Sequence, residues 1–212
     1  KHLSEHEIYI TFYGGEPTLN LDFIKEIMAR YPTFRFQLQT NGTLLDNLPD
    51  NVLANLSNIL LSIDGGEAIT DGFRGRGVYR QVVKNTQAVR DRMKGSFTAR
   101  VTWSSEETSF EELDELANTF DYVYFQFVAG EGTYTPYAME KKKAVIAQLV
   151  DKFFSSDELY PIIPIMGIVR NKVLPTRATE LCQGKTQCRV STHILNVMPD
   201  GKIFPCPDMM YA

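Results

Sequence analysis

The chain has 212 residues, of which 43% are hydrophobic and 23% are charged, and its formal net charge is -4. This composition is typical of a globular protein, and the acidic balance argues against a general binder of nucleic acid or of anionic membrane surfaces. The sequence has no apolar run as long as a membrane span, and its first seven residues are too polar for a signal peptide. We therefore expect a cytoplasmic protein without a nucleic-acid or membrane partner.

The first element is an apolar run over residues 8–13 that ends in Gly14-Gly15-Glu16-Pro17. β-branched and aromatic residues dominate this run, which predicts a strand that is covered on both faces. The two glycines permit positive φ angles and a close approach of a ligand to the backbone, while Glu16 adds a carboxylate and Pro17 ends ladder pairing. The four residues fit either a tight β-to-α turn or a binding corner for a cationic group.

Strands and helices alternate over the following 140 or so residues. Helices are predicted over residues 21–30, 49–56, 78–93, 110–120 and 137–154, and strands over 34–39, 58–63, 97–103 and 122–128. Alternation of this kind implies right-handed βαβ crossovers and a parallel sheet, so the predicted fold class is α/β. In such folds ligands bind at the carboxyl ends of the strands.

Polar residues end the next two strands. Thr40-Asn41-Gly42 offers a hydroxyl and an amide to a ligand, or it is an ordinary Asn-Gly turn. Ser62 and Asp64 are two residues apart, so they share one face and could hold a ribose or a carboxylate. The alternative for this pair is a helix cap or an Asx turn.

Arg74 lies in a glycine-containing stretch, residues 71–77, that is predicted to be a flexible loop. Its guanidinium could clamp a ligand carboxylate through two hydrogen bonds, or it could be an ordinary surface arginine. The glycine spacing here matches neither the dinucleotide-binding fingerprint nor the Walker pattern, which excludes a phosphate loop.

Prolines interrupt the chain repeatedly from Pro161 onward, and the β/α alternation is expected to stop there. We expect a first domain over residues 1–160 and a second over 161–212. The second contains a small hairpin, with strands over 194–197 and 202–204 joined by Pro199-Asp200-Gly201.

All three cysteines lie in the second region, in the spacing Cys182-x5-Cys188-x17-Cys206. An odd number confined to one segment favours a ligand cluster over a disulfide framework. Cysteine sulfur suits zinc or an iron–sulfur cluster, and a fourth ligand could be His193 or a residue beyond Ala212, unless the site is open.

The order of these motifs resembles the radical SAM superfamily. A strand ending in Gly-Gly-Glu-Pro is followed by one ending in Thr-Asn-Gly and one ending in Ser-Ile-Asp-Gly, with Arg74 farther along. The tail Cys188-x12-Gly201-x4-Cys206 is similar to the SPASM or twitch extension, which carries auxiliary iron–sulfur clusters. The resemblance covers nearly the whole chain.

The resemblance implies a partial (β/α)6 TIM-like barrel in which S-adenosylmethionine lies across the carboxyl ends of the strands. It assigns Gly15 and Glu16 to the methionine ammonium, Ser62 and Arg74 to the ribose and carboxylate, and the Phe127-Val128 strand end to the adenine, with Gly14, Thr40, Asn41 and Asp64 lining the same mouth. Cys182, Cys188 and Cys206 would ligate an auxiliary [4Fe-4S] cluster. Pro207 stands where sulfatase maturases have a proton-accepting acid, which leaves Asp208 as the catalytic candidate.

One family signature is not present. The Cys-x3-Cys-x2-Cys motif, whose cluster reduces S-adenosylmethionine, has no counterpart because no cysteine precedes Cys182. We expect this motif and the first βα unit to precede Lys1 in the natural protein, and the chain to be a fragment that is inactive in radical formation.

The resemblance thus implies an oxidoreductase or maturase that modifies a peptide or protein side chain by S-adenosylmethionine-dependent radical chemistry. Its partners would be the peptide or protein substrate and an electron donor such as ferredoxin or flavodoxin. Two alternatives remain: a degenerate, non-catalytic peptide-binding protein of the same fold, and a βα protein with a zinc-binding tail.

Overall fold

The computed structural model describes residues 8–104, 107–128, 134–173 and 194–205. The strands are β1 Tyr9–Phe12, β2 Arg35–Thr40, β3 Leu56–Ser62, β4 Ser96–Trp103, β5 Tyr122–Phe127, β6 Asn196–Val197 and β7 Ile203–Phe204. The helices are α1 Leu21–Arg30, α2 Asp50–Leu53, α3 Glu67–Arg74, α4 Val78–Val89, α5 Phe110–Thr119, α6 Pro136–Ser155 and α7 Ile163–Val173.

Strands β1 to β5 form one five-stranded sheet in sequence order, and every neighbouring pair is parallel. A helix or helical turn lies between each pair of successive strands, as right-handed crossovers require. The predicted α/β class with a parallel sheet is confirmed. Because all five strands run the same way, their carboxyl ends lie along a single edge of the sheet.

One face of this sheet is apolar and packs into the core. In β4 the side chains of Phe97, Ala99, Val101 and Trp103 are each at most 1% exposed. The intervening residues are polar, since successive side chains of a strand point to opposite faces. The same alternation runs through β2, β3 and β5, so the second face of the sheet is mainly polar and half-buried, apart from the apolar Leu60 and the buried Thr98.

Helix boundaries follow local capping signals. The Asn20 side chain accepts a hydrogen bond from the backbone N–H of Phe23 and begins α1. Ser109 and Glu112 form a reciprocal capping box that begins α5. Such caps satisfy the first N–H groups of a helix, which have no partner within it.

The expectation that the first strand is covered on both faces is wrong. Tyr9 is 48% exposed and Tyr13 is 53% exposed, while Phe12 is buried and stacks on Phe36 of β2. The aromatic rings of the run fall on both sides of the strand, because the side-chain period is two, and only the Phe12 side faces the core. The unbroken apolar run therefore predicted more burial than the β1 side chains have in the structure.

The glycines around Arg74 predicted a loop, but the structure places Arg74 in a helix. It is the last residue of α3, which ends at Gly75 with a φ of 111°. Gly72 is accommodated inside the helix, where an isolated glycine costs about 1 kcal/mol relative to alanine but does not prevent helix formation.

The β/α alternation also continues beyond Pro161, contrary to expectation. Ile162 forms a parallel bridge with Val123 of β5, and the Val123 N–H donates to the Pro161 carbonyl at 2.9 Å. Helix α7 begins one residue later with Pro164 in its first turn, where the missing N–H of proline costs nothing.

The chain divides into two compact units, one ending at Gly167 and one beginning at Ile168. In the second unit β6 and β7 pair antiparallel, and the turn between them has Gly201 at a φ of 81°. Within the described ranges, no helix combines the length and the apolar character needed to cross a membrane.

Candidate functional site

The predicted site residues of the first unit lie along the carboxyl edge of the sheet. Gly14, Gly15 and Glu16 follow β1, Thr40 and Asn41 stand at the end of β2, Ser62 and Asp64 at the end of β3, and Val128 follows β5. This placement brings together residues that are more than 100 positions apart in sequence.

Glu16 is the centre of the hydrogen bonding at this edge. Its Oε1 atom accepts three hydrogen bonds: from the Thr18 N–H at 3.1 Å, from the Thr18 hydroxyl at 2.6 Å and from the Thr40 hydroxyl at 2.7 Å. The contact with Thr18 caps the short 3₁₀ turn Pro17–Leu19. The contact with Thr40 ties the end of β1 to the end of β2.

The other carboxylate oxygen is less occupied. From the part of the chain that the structure describes, Oε2 of Glu16 accepts one hydrogen bond, donated by the Asn41 N–H at 2.8 Å. A carboxylate oxygen has two lone pairs, so Oε2 keeps capacity for one further donor, such as an ammonium group. Gly14 and Gly15 have φ angles of 93° and 49°, and no heavy atom of the described residues lies within 4 Å of the position where a Cβ would stand. The backbone beside Glu16 is therefore open to a ligand.

The Thr40-Asn41-Gly42 corner is largely self-contained. The Asn41 Oδ1 atom accepts from the N–H of Thr43 at 2.9 Å and from its hydroxyl at 2.7 Å, which makes an Asx turn. Gly42 has a φ of 76°, and a Cβ there would stand 3.0 Å from the side chains of Leu61 and Val82. The Asn41 side chain therefore forms a turn, whereas the Asn41 N–H donates a hydrogen bond to Glu16.

Asp64 and Arg74 form a two-pronged ion pair at the end of β3. Arg74 Nη2 donates to Asp64 Oδ1 at 2.9 Å, and Nε lies 2.6 Å from Oδ2. The Asp64 side chain is 5% exposed and that of Arg74 is 28% exposed. Arg74 is thus already engaged by a carboxylate of this chain, and a ligand carboxylate would have to compete with Asp64 for it. Ser62, two residues earlier on the same face, is half-buried.

Asp71 fixes the chain that follows Arg74. Its carboxylate accepts from the Gly77 N–H at 2.6 Å and from the Tyr79 N–H at 2.9 Å, at the start of α4. These backbone donors hold the pKa of Asp71 below its ordinary value of 3.8. The pKa of the buried Tyr79 is raised to about 12, chiefly because burial disfavours the phenolate and then because Glu115 lies nearby.

At the end of β5, Val128 is fixed through its backbone. The Tyr134 hydroxyl donates to the Val128 carbonyl. The Phe127 ring, 42% exposed, packs against the rings of Trp103 and Tyr134. The three rings are inclined to one another, and the exposed Phe127 ring gives the β5 end of the edge an apolar wall.

The metal and catalytic candidates of the C-terminal region, Cys182, Cys188, Cys206 and Asp208, lie outside the described residues. Across the described ranges, no group of three or more His, Cys, Asp or Glu residues is arranged to hold a metal ion. The described part of the chain thus leaves the cluster assignment as a prediction.

Sequence reasoning missed the polar residues in the middle of the sheet. Asn58 accepts hydrogen bonds from Ser96 and Thr98, and Arg100 donates from Nη2 to Gln126 Oε1 at 2.9 Å. The signal was available, because polar residues recur at every second position of β4. Alternation of this kind predicts a strand, but it also indicates that one face of the sheet is polar.

Comparisons with known proteins identify the fold. Neither a protein-family model nor a curated protein matches the chain. The structure of anSMEcpe with bound AdoMet and Cp18Cys peptide is similar over 95% of this chain and 61% of that one, at 18% identity and a TM-score of 0.67. Streptococcus suis SuiB bound to S-adenosylmethionine is similar over 95% of this chain and 50% of that one, at 15% identity and a TM-score of 0.67.

A second SuiB structure, bound to the precursor peptide SuiA, gives a TM-score of 0.68 at 15% identity over 95% of this chain and 49% of that one. The present chain therefore spans about half to three fifths of the length of these proteins. At such identities the likeness establishes the fold, which is the fold that the motif order implied.

Proposed function

We propose that this chain is the S-adenosylmethionine-binding core of a radical SAM enzyme that modifies a peptide or protein side chain. The carrying observation is the Glu16 corner, where a carboxylate with spare acceptor capacity stands beside open glycine backbone. Support comes from the fold shared with structures that contain S-adenosylmethionine and a peptide. Bound S-adenosylmethionine supplies one-electron chemistry at carbon, once an iron–sulfur cluster delivers the electron.

The residues of this chain bind and orient the cofactor. Glu16 Oε2 accepts from the methionine ammonium, and the Gly14-Gly15 backbone lets it approach closely. Ser62 and Asp64 face the ribose at the end of β3, with Asp64 held in place by Arg74. The Phe127-Val128 end of β5 borders the adenine with its aromatic wall. Thr40 and Asn41 act through Glu16, because their donors fix its carboxylate.

The proposal extends to the C-terminal region by resemblance. Cys182, Cys188 and Cys206 ligate an auxiliary [4Fe-4S] cluster of the SPASM or twitch type, and Asp208 is the candidate proton acceptor. The first cluster would be bound by residues outside this chain, and a ferredoxin or flavodoxin would reduce it.

Calorimetric titration with S-adenosylhomocysteine tests the binding assignment. Glu16→Gln should weaken binding by about tenfold or more, because a hydrogen bond to a charged group is worth roughly 1.5–3 kcal/mol. Thr18→Val is the matched control: it removes a hydrogen bond to Oε1 but leaves the charge at Oε2. Equal affinity in Glu16→Gln and wild type would remove the ammonium assignment. Wild-type protein that binds no S-adenosylhomocysteine, but does bind peptide, would favour the non-catalytic peptide-binding alternative.

A further inference from the structure

Arg100 occupies a distinct position in the middle of the polar face. It lies on β4, in register with Ser62 of β3 on one side and Tyr124 of β5 on the other. Its neighbours along the strand, Ala99 and Val101, are fully buried in the core, so Arg100 points to the opposite, polar face. The side chain is half-buried.

The guanidinium leans toward the carboxyl edge of the sheet. Its hydrogen-bond partner is Gln126, which stands two residues beyond Tyr124, the register partner of Arg100. The charged end of Arg100 is thus held toward the same edge as the candidate cofactor site. Because Gln126 fixes one Nη2 hydrogen bond, the remaining donors of the planar guanidinium have a defined orientation.

The charge of Arg100 is not balanced by a carboxylate within the described residues. Its partner there is the neutral amide of Gln126. The contrast with other arginines is clear: Arg74, Arg80, Arg90 and Arg92 each lie 2.6–2.9 Å from a carboxylate oxygen. A half-buried guanidinium remains charged at any physiological pH, and withdrawing it from water is costly unless an anion compensates it.

The position of Arg100 across the sheet favours an anion other than the carboxylate of the cofactor. Glu16 meets Thr40 and Asn41 at the end of β2, and Arg100 stands on β4, two strand intervals or about 10 Å away. The ammonium and carboxylate of S-adenosylmethionine share one carbon, so an ammonium seated at Glu16 places the carboxylate nearer to β2 than to β4.

We infer that Arg100, oriented by Gln126, binds a carboxylate of the peptide substrate. This inference rests on the proposed function, because it takes the Glu16 corner as the seat of the cofactor ammonium. It adds a substrate class: peptides that present an acidic side chain or a terminal carboxylate to the polar face of the sheet. An arginine suits this task, since its planar fork matches the geometry of a carboxylate.

The Nε–Hε signal of Arg100 in the NMR spectrum of arginine-labelled protein provides a direct test, assigned with Arg100→Lys. Three probes are added to protein saturated with S-adenosylhomocysteine: N-acetyl-glutamate N′-methylamide, N-acetyl-glutamine as the free acid, and the neutral N-acetyl-glutamine N′-methylamide. The first reports a side-chain carboxylate, the second a terminal one, and the third neither. We expect the Arg100 signal to shift with one of the two acids and not with the neutral probe.

Binding of that acid should weaken by about tenfold in Arg100→Gln, while the exposed control Arg80→Gln leaves it unchanged. Two results overturn the inference. In the first, neither acid shifts the Arg100 signal. In the second, S-adenosylhomocysteine alone shifts the signal and neither acid shifts it further. The second result would assign Arg100 to the cofactor carboxylate. If the cofactor-site assignment is wrong, the protein will not bind S-adenosylhomocysteine, which is a separate measurement. The two acids can then be titrated into protein without S-adenosylhomocysteine.

Discussion

The Thr40 hydroxyl donates a 2.7 Å hydrogen bond to the Oε1 atom of Glu16, across 24 positions of sequence. This bond joins the carboxyl ends of β1 and β2, and the Asn41 N–H reinforces it through Oε2. The candidate cofactor corner is therefore a product of two strands and not of the Gly-Gly-Glu-Pro turn alone. Its rigidity depends on Thr40 as much as on Glu16.

Thr40→Val should lower the free energy of unfolding by roughly 1.5–3 kcal/mol, because the Thr40 hydroxyl no longer donates to the charged Glu16 carboxylate or accepts from the Gly42 N–H, while the side-chain shape is unchanged. Urea denaturation measures this difference. Thr11→Val is the control, since the exposed Thr11 hydroxyl contacts the neutral Gln37 amide at 3.2 Å and should matter little. A Thr40→Val protein as stable as wild type would show that the tie between the strands is energetically irrelevant.

Removal of Arg74 should cost more than removal of an exposed arginine. Arg74→Met leaves the Asp64 carboxylate, 5% exposed, without its cation, and breaking such a buried pair costs about 3–5 kcal/mol. Arg80→Met breaks the exposed pair with Glu67 and should cost at most about 1 kcal/mol. The combination Asp64→Asn with Arg74→Met should be less damaging than the sum of the two single changes. Additive effects would mean that the two side chains do not interact.

The stability contribution of Asp71 should depend on pH. Its pKa is lowered in the folded protein by the Tyr79 and Gly77 N–H groups, so the folded state favours the ionised carboxyl. The contribution is fully present above the pKa of the unfolded chain, and it disappears as the pH falls through the lower folded pKa.

Carbon-detected NMR titration of the Asp71 carboxyl, assigned with Asp71→Asn, should give a midpoint below 3.8. Asp71→Asn should also flatten the acid limb of the unfolding profile. A midpoint at or above 3.8 would contradict the role of the backbone donors.

Cys188→Ala in the full-length protein should remove about one [4Fe-4S] cluster, which means about four iron atoms and four sulfides per chain. The unit with the five-stranded sheet should stay folded, as judged by unchanged S-adenosylhomocysteine binding. Ser191→Ala is the control from the same segment. Unchanged iron would reject the ligand assignment, and zinc in place of iron in anaerobically prepared protein would favour the zinc-tailed alternative.

Much of the fold could be read from the sequence because its signals are local. The bounds predicted for α1 match the structure, and those of β2 to β5, α5 and α6 differ by no more than two residues. The errors came where a local signal misled. Glycines around Arg74 suggested a loop although α3 continues through Gly72, and Pro161 suggested the end of the β/α pattern although α7 begins at Ile163.

The sequence by itself determined the order of the strand ends, and with it the residues that meet at one edge of the sheet. Parallel strands make this inference possible, because all their carboxyl ends lie on the same side. Only the tertiary structure decided which partner each polar group has. In the folded chain Oε1 of Glu16 accepts a hydrogen bond from Thr40, Arg74 pairs with Asp64, and Arg100 donates to the neutral amide of Gln126. Those outcomes depend on side chains that lie 10 to 26 positions apart in sequence, and hydrogen bonds of 2.7–2.9 Å between such residues exist only once the sheet has formed.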